Sequence, residues 1–201
     1  MALTLTTPPQ TEPISVAEAK ALGRIDQRDE DDLIASLIRA ARLELDGPSG
    51  WLGRALITQQ WTWTMDRFPA PGDDSYLYGP RPGFMVPLPP LQSIVSITYR
   101  DTAGVNQTLP PASYTVDPVS QPGRVLLPPT TALWPATQVG AANTVTVTFT
   151  AGYGAQPGSV PERIRDWLKR YVVFKYETRQ VGPTPSLAFW ELADYRIAWC
   201  M

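Results

Sequence analysis

Apolar residues between positions 33 and 45 recur at steps of one, three and four, which is the spacing of one face of an α-helix. This face consists of Leu33, Ile34, Leu37, Ile38, Ala41 and Leu45. The acidic run 29–32 precedes it, where negative charge offsets the positive end of the helix dipole, and Gly47-Pro48 follows it. The pattern predicts a long amphipathic helix after Asp29, with Leu37 and Ile38 in the core.

Two other helices are indicated by their starting residues. Ser15 and Glu18 have the spacing of a capping box, so a short helix is predicted from Ser15 to about Gly23. Pro161 is a favoured first helical residue because its missing N–H costs nothing there. The apolar face of the helix that follows consists of Ile164, Trp167, Leu168, Tyr171 and Val172.

The middle of the chain has the period-two alternation of β-strands. Between residues 56 and 68, Trp61 and Trp63 alternate with threonines and glutamines. Further short strands are predicted at residues 93–99, 105–109, 113–117, 124–127 and 144–149. The turn 101–104 joins two of them as a hairpin, and frequent prolines in the gaps favour a small antiparallel sheet or barrel.

These elements predict an α+β fold in which an antiparallel β domain is inserted between the second and third main helices of a small helical bundle. The predicted organisation has four parts: an N-terminal segment with bundle helices (1–55), the inserted β domain (56–150), the third bundle helix with a linker (151–185) and a C-terminal docking segment (186–201).

The amino-acid composition excludes several classes of catalytic site and metal site. The chain has 201 residues, 17 Lys and Arg against 19 Asp and Glu, no histidine and one cysteine, Cys200. The absence of histidine excludes Ser-His-Asp and Cys-His catalysis and imidazole-ligated metal sites. The near-neutral charge differs from the basic excess of proteins that wrap DNA. Since the chain shows neither a signal peptide nor a membrane-spanning stretch, we expect a soluble protein made in the cytoplasm.

Other candidate sites have simpler structural interpretations. The glycine-rich stretch 152–158 lacks the ending of a phosphate-binding loop and is interpreted as a strand-to-helix turn. The acidic run 29–32 lacks the alternating spacing of a calcium loop and is interpreted as the start of a helix. The aspartates of the β region are interpreted as turn residues; they are Asp66, Asp73, Asp74, Asp101 and Asp117. We therefore expect no enzyme activity, no metal and no cofactor.

Three sets of residues are candidates for binding: two tryptophans of the β region, the basic side chains of the third main helix, and the C-terminal segment. Trp61 and Trp63 share one face of a strand, where they form either part of the core or a platform for carbohydrate. The third main helix is basic, and its possible subunit-interface residues are Arg163, Lys169, Arg170 and Lys175.

The C-terminal segment is rich in aromatic residues. A last short helix is predicted from residue 186 to about 194, separated from the preceding helix by Pro183 and Pro185. The candidate partner-binding residues of the segment are Phe189, Trp190, Tyr195, Arg196 and Trp199. Large aromatic side chains with an arginine are typical of interface hot spots, but the same residues could instead pack on the body of their own chain.

The order of motifs along the chain resembles that of a known protein family. The motifs are TPPQTEPISVAEAKALGRID, DEDDLIASLIRAARLELD, GRALITQQWTWTMDRFP, PLPPLQSIVSITYRDTAG, SYTVD, VTVTFTAGYG and VPERIRDWLKRYVVFKYETR. In this order they resemble the head–tail connector (adaptor) proteins of long-tailed bacteriophages and of related gene transfer agents. The resemblance covers nearly the whole chain and depends on the series, since no single motif is diagnostic.

The resemblance implies a structural protein with a helical-bundle core and no catalytic residues. Such proteins assemble as a ring, usually twelve-fold, beneath the portal protein, extend the channel for double-stranded DNA and offer a docking surface to the next neck protein. The implied location is the head–tail neck of a virion or virus-like particle. The C-terminal segment is the expected portal-binding element. The alternative function is a non-catalytic β-domain binding module for a carbohydrate or protein ligand.

Overall fold

The computed structural model describes residues 2–70, 83–128, 130, 133–178 and 189–197. They form two compact units. The sheet unit comprises residues 2–8 and 59–152, and the helical unit comprises residues 9–58 and 153–197, within the described ranges. Helices and antiparallel sheets are both present, so the predicted α+β class is confirmed.

The helical unit contains α1 (Val16–Gly23), α2 (Asp31–Leu45) and α3 (Glu162–Thr178), with short 3-10 helices at Pro157–Ser159 and Phe189–Tyr195. The predicted capping box at the start of α1 is confirmed. The Ser15 hydroxyl accepts the Glu18 N–H at 3.1 Å, and the Glu18 carboxylate accepts the Ser15 N–H at 2.8 Å. Both backbone groups would otherwise lack a helical partner, so these bonds fix where α1 begins.

The core of the helical unit is formed by the apolar stripes of α2 and α3. Its buried residues from these helices are Ile34, Ile38, Ala41, Leu45, Ile164, Trp167, Leu168, Tyr171 and Val172. The sequence analysis placed Leu33 on the same face of α2, but Leu33 is 42% exposed, and Leu37 is half-buried at the edge of the core. Successive helical residues point about 100° apart, so Leu33 cannot share the direction of Ile34.

The sheet unit contains a five-stranded antiparallel sheet and a three-stranded one. The strands are β1 (Ala2–Thr7), β2 (Gln59–Met65), β3 (Gly83–Met85), β4 (Leu91–Arg100), β5 (Asn106–Thr108), β6 (Thr115–Asp117), β7 (Arg124–Leu126) and β8 (Val145–Ala151). The larger sheet has the order β1-β2-β8-β4-β5 and the smaller one β3-β7-β6. The predicted hairpin turn joins β4 to β5, with the Gly104 N–H bonded to the Asp101 carbonyl at 2.9 Å and Gly104 at a φ of +81°.

The strand β1 was not predicted from the sequence. It pairs antiparallel with β2, so that Leu3 lies opposite Trp63 and Thr4 opposite Thr62. Its alternation of leucine and threonine has the period of a strand. The sequence analysis assigned these residues to the N-terminal segment of the helical region.

The two tryptophans of β2 belong to the core of the sheet unit. Trp61 is 6% and Trp63 is 5% exposed, and Trp63 makes an edge-to-face contact with Phe84 at a centroid separation of 5.8 Å. The interpretation as core residues is confirmed. A carbohydrate platform made of these rings is excluded, since their faces are covered by protein.

Candidate assembly surfaces

The C-terminal 3-10 helix packs onto the helical unit through aromatic stacking. The Phe189 ring lies between two tryptophans, with centroid separations of 5.3 Å to both Trp51 and Trp167 and interplanar angles of 22° and 29°. One turn later, Leu192 is completely buried. Stacked aromatic pairs add about 0.5–1.5 kcal/mol each beyond their buried area, so this helix closes one end of the core.

The residues after this helix are anchored as well. The carbonyl of Tyr195 accepts a hydrogen bond from the buried guanidinium of Arg54, and the Ile197 N–H bonds to the Leu52 carbonyl at 2.9 Å. The Arg196 guanidinium lies 5.0 Å from the centre of the Trp51 ring, which is a cation–π distance. Residues 189–197 are therefore held on their own helical unit.

These contacts separate the predicted portal-binding residues into groups. Phe189 and Tyr195 pack against the core of their own chain, and Arg196 covers Trp51. Trp190 is 75% exposed. Trp199 lies outside the described residues. The expectation of partner binding thus concerns Trp190 most directly, and aromatic composition alone could not distinguish it from Phe189.

The predicted interface residues of α3 have intramolecular partners. Lys169 binds Glu162 at 2.8 Å, and Arg163 binds Asp194 at 3.2 Å. Lys175 lies 5.6 Å from the centre of the Tyr171 ring. Since much of the basic charge is matched within the unit, α3 offers a salt-bridged surface and not a strongly positive patch.

Arg170 links α3 to the C-terminal 3-10 helix. It binds Asp166 at 3.0 Å on its own helix and Glu191 at 2.6 Å on the other. Hydrogen bonding from Arg170 holds the pKa of Glu191 below its ordinary value. This ion pair helps to keep the aromatic segment in place.

A buried ion network in the helical unit was not found from the sequence. Asp46, 6% exposed, accepts the Leu56 N–H at 3.0 Å and binds Arg42 at 2.9 Å, and Arg42 also binds Glu12 at 2.8 Å. Burial alone would lower the pKa of Arg42, but the two carboxylates outweigh it and raise the pKa above its ordinary value. The network ties the end of α2 to the segments before and after it. The network could have been predicted in part from the sequence, because Arg42 and Asp46 are four residues apart on one helix.

Asp101 and Asp117 of the sheet unit act as turn residues, as the sequence analysis expected. Asp101 accepts the N–H groups of Ala103 and Val105 at 2.9 Å each. Asp117 accepts from Ser120 at 2.7 Å and binds Arg124, and these hydrogen bonds lower the pKa of Asp117 to about 2.

The three remaining aspartates and the glycine-rich stretch complete the candidate sites. Asp66 accepts the Asn143 N–H at 2.9 Å, and Asp73 and Asp74 lie outside the described residues. The glycine-rich stretch is a tight turn, because a Cβ on Gly154 would lie 2.4 Å from the Ser159 hydroxyl. In the described ranges, no group of three or more His, Cys, Asp or Glu residues is placed to hold a metal ion. No helix there is long and apolar enough to cross a bilayer.

The outer face of the five-stranded sheet is lined by hydroxyl groups. Strand register puts Thr4, Thr62, Thr148 and Ser96 in one row across the sheet. A second row contains Thr64, Thr146, Thr98 and Thr108, and a third contains Gln60, Thr150 and Ser93. None of these side chains is charged, and the opposite face of β2 and β8 is buried and, apart from Gln59, apolar. We call this surface the hydroxyl face.

Comparisons with known proteins give structural matches. No protein-family model and no curated protein matches the sequence. A chain in the neck of an empty gene transfer agent (GTA) particle, computed with C6 symmetry, matches with a TM-score of 0.75 and 22% identity. A chain in the virion of a native GTA particle gives 0.72 and 21%. A chain in the neck of a native GTA particle, computed with C12 symmetry, gives 0.70 and 20%.

Each match covers 100% of this chain and 98% of the other chain. The correspondence therefore includes both the helical unit and the inserted sheet unit. The protein has the fold of chains found in the neck and virion of gene transfer agent particles.

Proposed function

We propose that the protein is a structural component of the neck of a tailed phage or gene transfer agent, and that it acts there as the head–tail adaptor. The observation that carries the proposal is the fold match over essentially the full length of both chains. A match confined to the helices would be weaker support, because small helical bundles serve many functions. The neck reconstructions that contain the matching chains were computed with C6 and C12 symmetry, which agrees with a twelve-fold ring.

In the proposed assembly, Trp190 contacts the portal protein. Its neighbours Phe189 and Leu192 are held by the core, so Trp190 is presented on a fixed backbone and loses little conformational freedom on binding. A rigid exposed tryptophan is the residue type most enriched in interface hot spots. The next neck protein binds elsewhere on the ring.

The hydroxyl face suits the wall of a channel for double-stranded DNA. Phosphate groups are retained mainly by Lys and Arg, and the three rows of this face have neither; Arg100, two residues after Thr98 on β4, is a charged side chain at the edge of the face. Neutral hydroxyl groups keep such a wall hydrated without holding the DNA during its passage.

Binding to the portal protein encoded in the same genome tests the proposal. Trp190→Ala should weaken binding by about 2 kcal/mol or more, as for a hot-spot residue, and should leave the melting temperature unchanged. Val139→Ala removes another highly exposed apolar side chain and is the matched control. Undiminished binding of the Trp190→Ala variant would exclude Trp190 as the contact. Failure of the unaltered protein to bind the portal would contradict the adaptor role.

A further inference from the structure

The helix α2 has an exposed stripe on the flank that faces away from Arg39 and Arg42. Leu33, Leu37, Ala40 and Glu44 follow each other at steps of four, three and four, so they lie in one line along the helix. Leu33, Ala40 and Glu44 are exposed, and Leu37 is half-buried. We call these four residues the α2 ridge. Apolar side chains on two flanks of one helix are typical of a helix that is covered on both.

The other flank of α2 borders a groove in the same unit. The groove has a volume of about 320 Å³ and lies between α2 and the segment that leads into α1. Its lining is mainly apolar and includes Ile14, Val16, Ala35, Ile38 and Pro157, and the carboxylate that also lines it, Glu12, is paired with Arg42. Ala40 on the ridge and Ala35 in the groove are five residues apart, so they point about 140° apart around the helix.

The two surfaces carry opposite unpaired charges. Arg39 is exposed at the rim of the groove, and Glu44 is exposed on the ridge. Within the described part of the chain, neither side chain has a hydrogen-bond or ion-pair partner. This contrasts with Arg42 on the same helix, which binds two carboxylates.

We infer that the C-terminal half of the α2 ridge, Ala40 and Glu44, packs into the groove of a neighbouring copy, with Glu44 paired to Arg39 of that neighbour. The occupant is a second copy because one chain carries both halves of the contact: Glu44 beside the small Ala40 on the ridge, and Arg39 at the rim of the apolar groove. Since ridge and groove point in different directions, the contact is head-to-tail, and contacts of this kind form rings when the rotation closes. The inference rests on the proposed ring assembly and identifies the surface that would form it.

Ring geometry and the Glu44–Arg39 pair together define the register of the contact. In a twelve-fold ring, equivalent helices of neighbours are at most about 30° from parallel. Two nearly parallel copies of α2 that place Glu44 opposite Arg39 also place Ala40 opposite Ala35, because both pairs are five residues apart. Two alanines at the centre allow the helix to approach the groove closely.

Disulfide trapping tests this register with the full-length chain. Two variants, Ala40→Cys and Ala35→Cys, are made in a Cys200→Ser background and oxidised separately and as a mixture. The mixture should form cross-linked dimers several-fold faster than either variant alone, and a chain with both substitutions should form a ladder of multimers. The control mixture pairs Ala40→Cys with Val139→Cys, which is highly exposed in the sheet unit. Cross-linking no faster than this control would overturn the inference, and so would faster cross-linking of Ala40→Cys with itself.

A charge exchange gives an independent test. In the chain with both cysteines, Arg39→Glu or Glu44→Arg alone should suppress the ladder, and both together should restore it because the ion pair is reversed. Suppression without restoration would contradict the pairing of these two residues. Portal binding is measured on the same variants, so a failed self-contact with intact portal binding refutes this interface and leaves the adaptor role standing.

Discussion

The helical unit and the hydroxyl face of the sheet unit differ in what they expose. The helical unit exposes a tryptophan and leucines, namely Trp190, Leu33 and Leu43. The hydroxyl face exposes threonine and serine in ordered rows, although the residues beneath it are as apolar as the helical core. Under the proposed function this difference separates two tasks within one chain, because exposed apolar side chains are typical of protein-binding surfaces whereas uncharged hydroxyl groups lack the positive charge that retains phosphates.

The largest effect on stability is expected from a substitution in the core that supports the exposed Trp190. Trp167→Ala removes a completely buried ring that stacks on Phe189 and Tyr171. It should lower the free energy of unfolding by about 3–5 kcal/mol, measured by denaturant titration, and should release the C-terminal 3-10 helix. A loss below about 1 kcal/mol would mean that the helical unit does not depend on this stack.

Neighbouring aromatic residues should differ sharply in their effect on stability. Phe189→Ala removes a half-buried ring from between two tryptophans and should cost about 1–3 kcal/mol. Trp190→Ala should change the unfolding free energy by less than about 0.5 kcal/mol. Equal losses for the two variants, in the same thermal or denaturant melt, would remove the distinction between a core residue and a contact residue.

The contrast between Phe189 and Trp190 shows which features could be predicted from the sequence. The capping box at Ser15 and the core stripe of α2 depend on residues a few positions apart, so the sequence contains the whole signal. Phe189 is identified as a core residue only by Trp51 and Trp167, which lie far away in the sequence and close in space.

The remaining differences have similar physical causes. Leu33 was misassigned because the assumed stripe included neighbours that point about 100° apart, and the sequence does not show how wide a stripe the core covers. The strand β1 was missed because a short alternation becomes a strand only when β2 is there to pair with it.

Adding positive charge to the hydroxyl face should make it bind DNA. Thr62→Lys with Ser96→Lys places two cations in one row, with Thr148 between them. The variant should gain weak binding to duplex DNA whose logarithmic salt slope is about −2, since each phosphate contact contributes about −0.9. Equally strong binding by the unaltered protein would contradict a neutral channel wall, and Val119→Lys with Val139→Lys is the control for added charge elsewhere.

The smallest effect on stability is expected from Asp117, a charged residue of the sheet unit. The pKa of Asp117, about 2, lies below the ordinary value of about 3.9, so its ionised form stabilises the fold above pH 4. This contribution is lost as the pH falls from about 4 to 2. Asp117→Asn should therefore be less stable than the unaltered protein at pH 7 and should lose less stability on acidification. Parallel curves of stability against pH for the two proteins would exclude this role.

The central claim is that this chain forms part of the neck, with its hydroxyl face towards the channel and Trp190 towards the portal. An electron cryomicroscopy reconstruction of the neck, from particles produced by the same genome and refined without imposed symmetry, tests it most directly. The account predicts a ring of this chain next to the portal, with α2 of each copy against the groove of the next. A neck density that this fold does not fit, or a ring with the hydroxyl face turned outwards, would contradict the account.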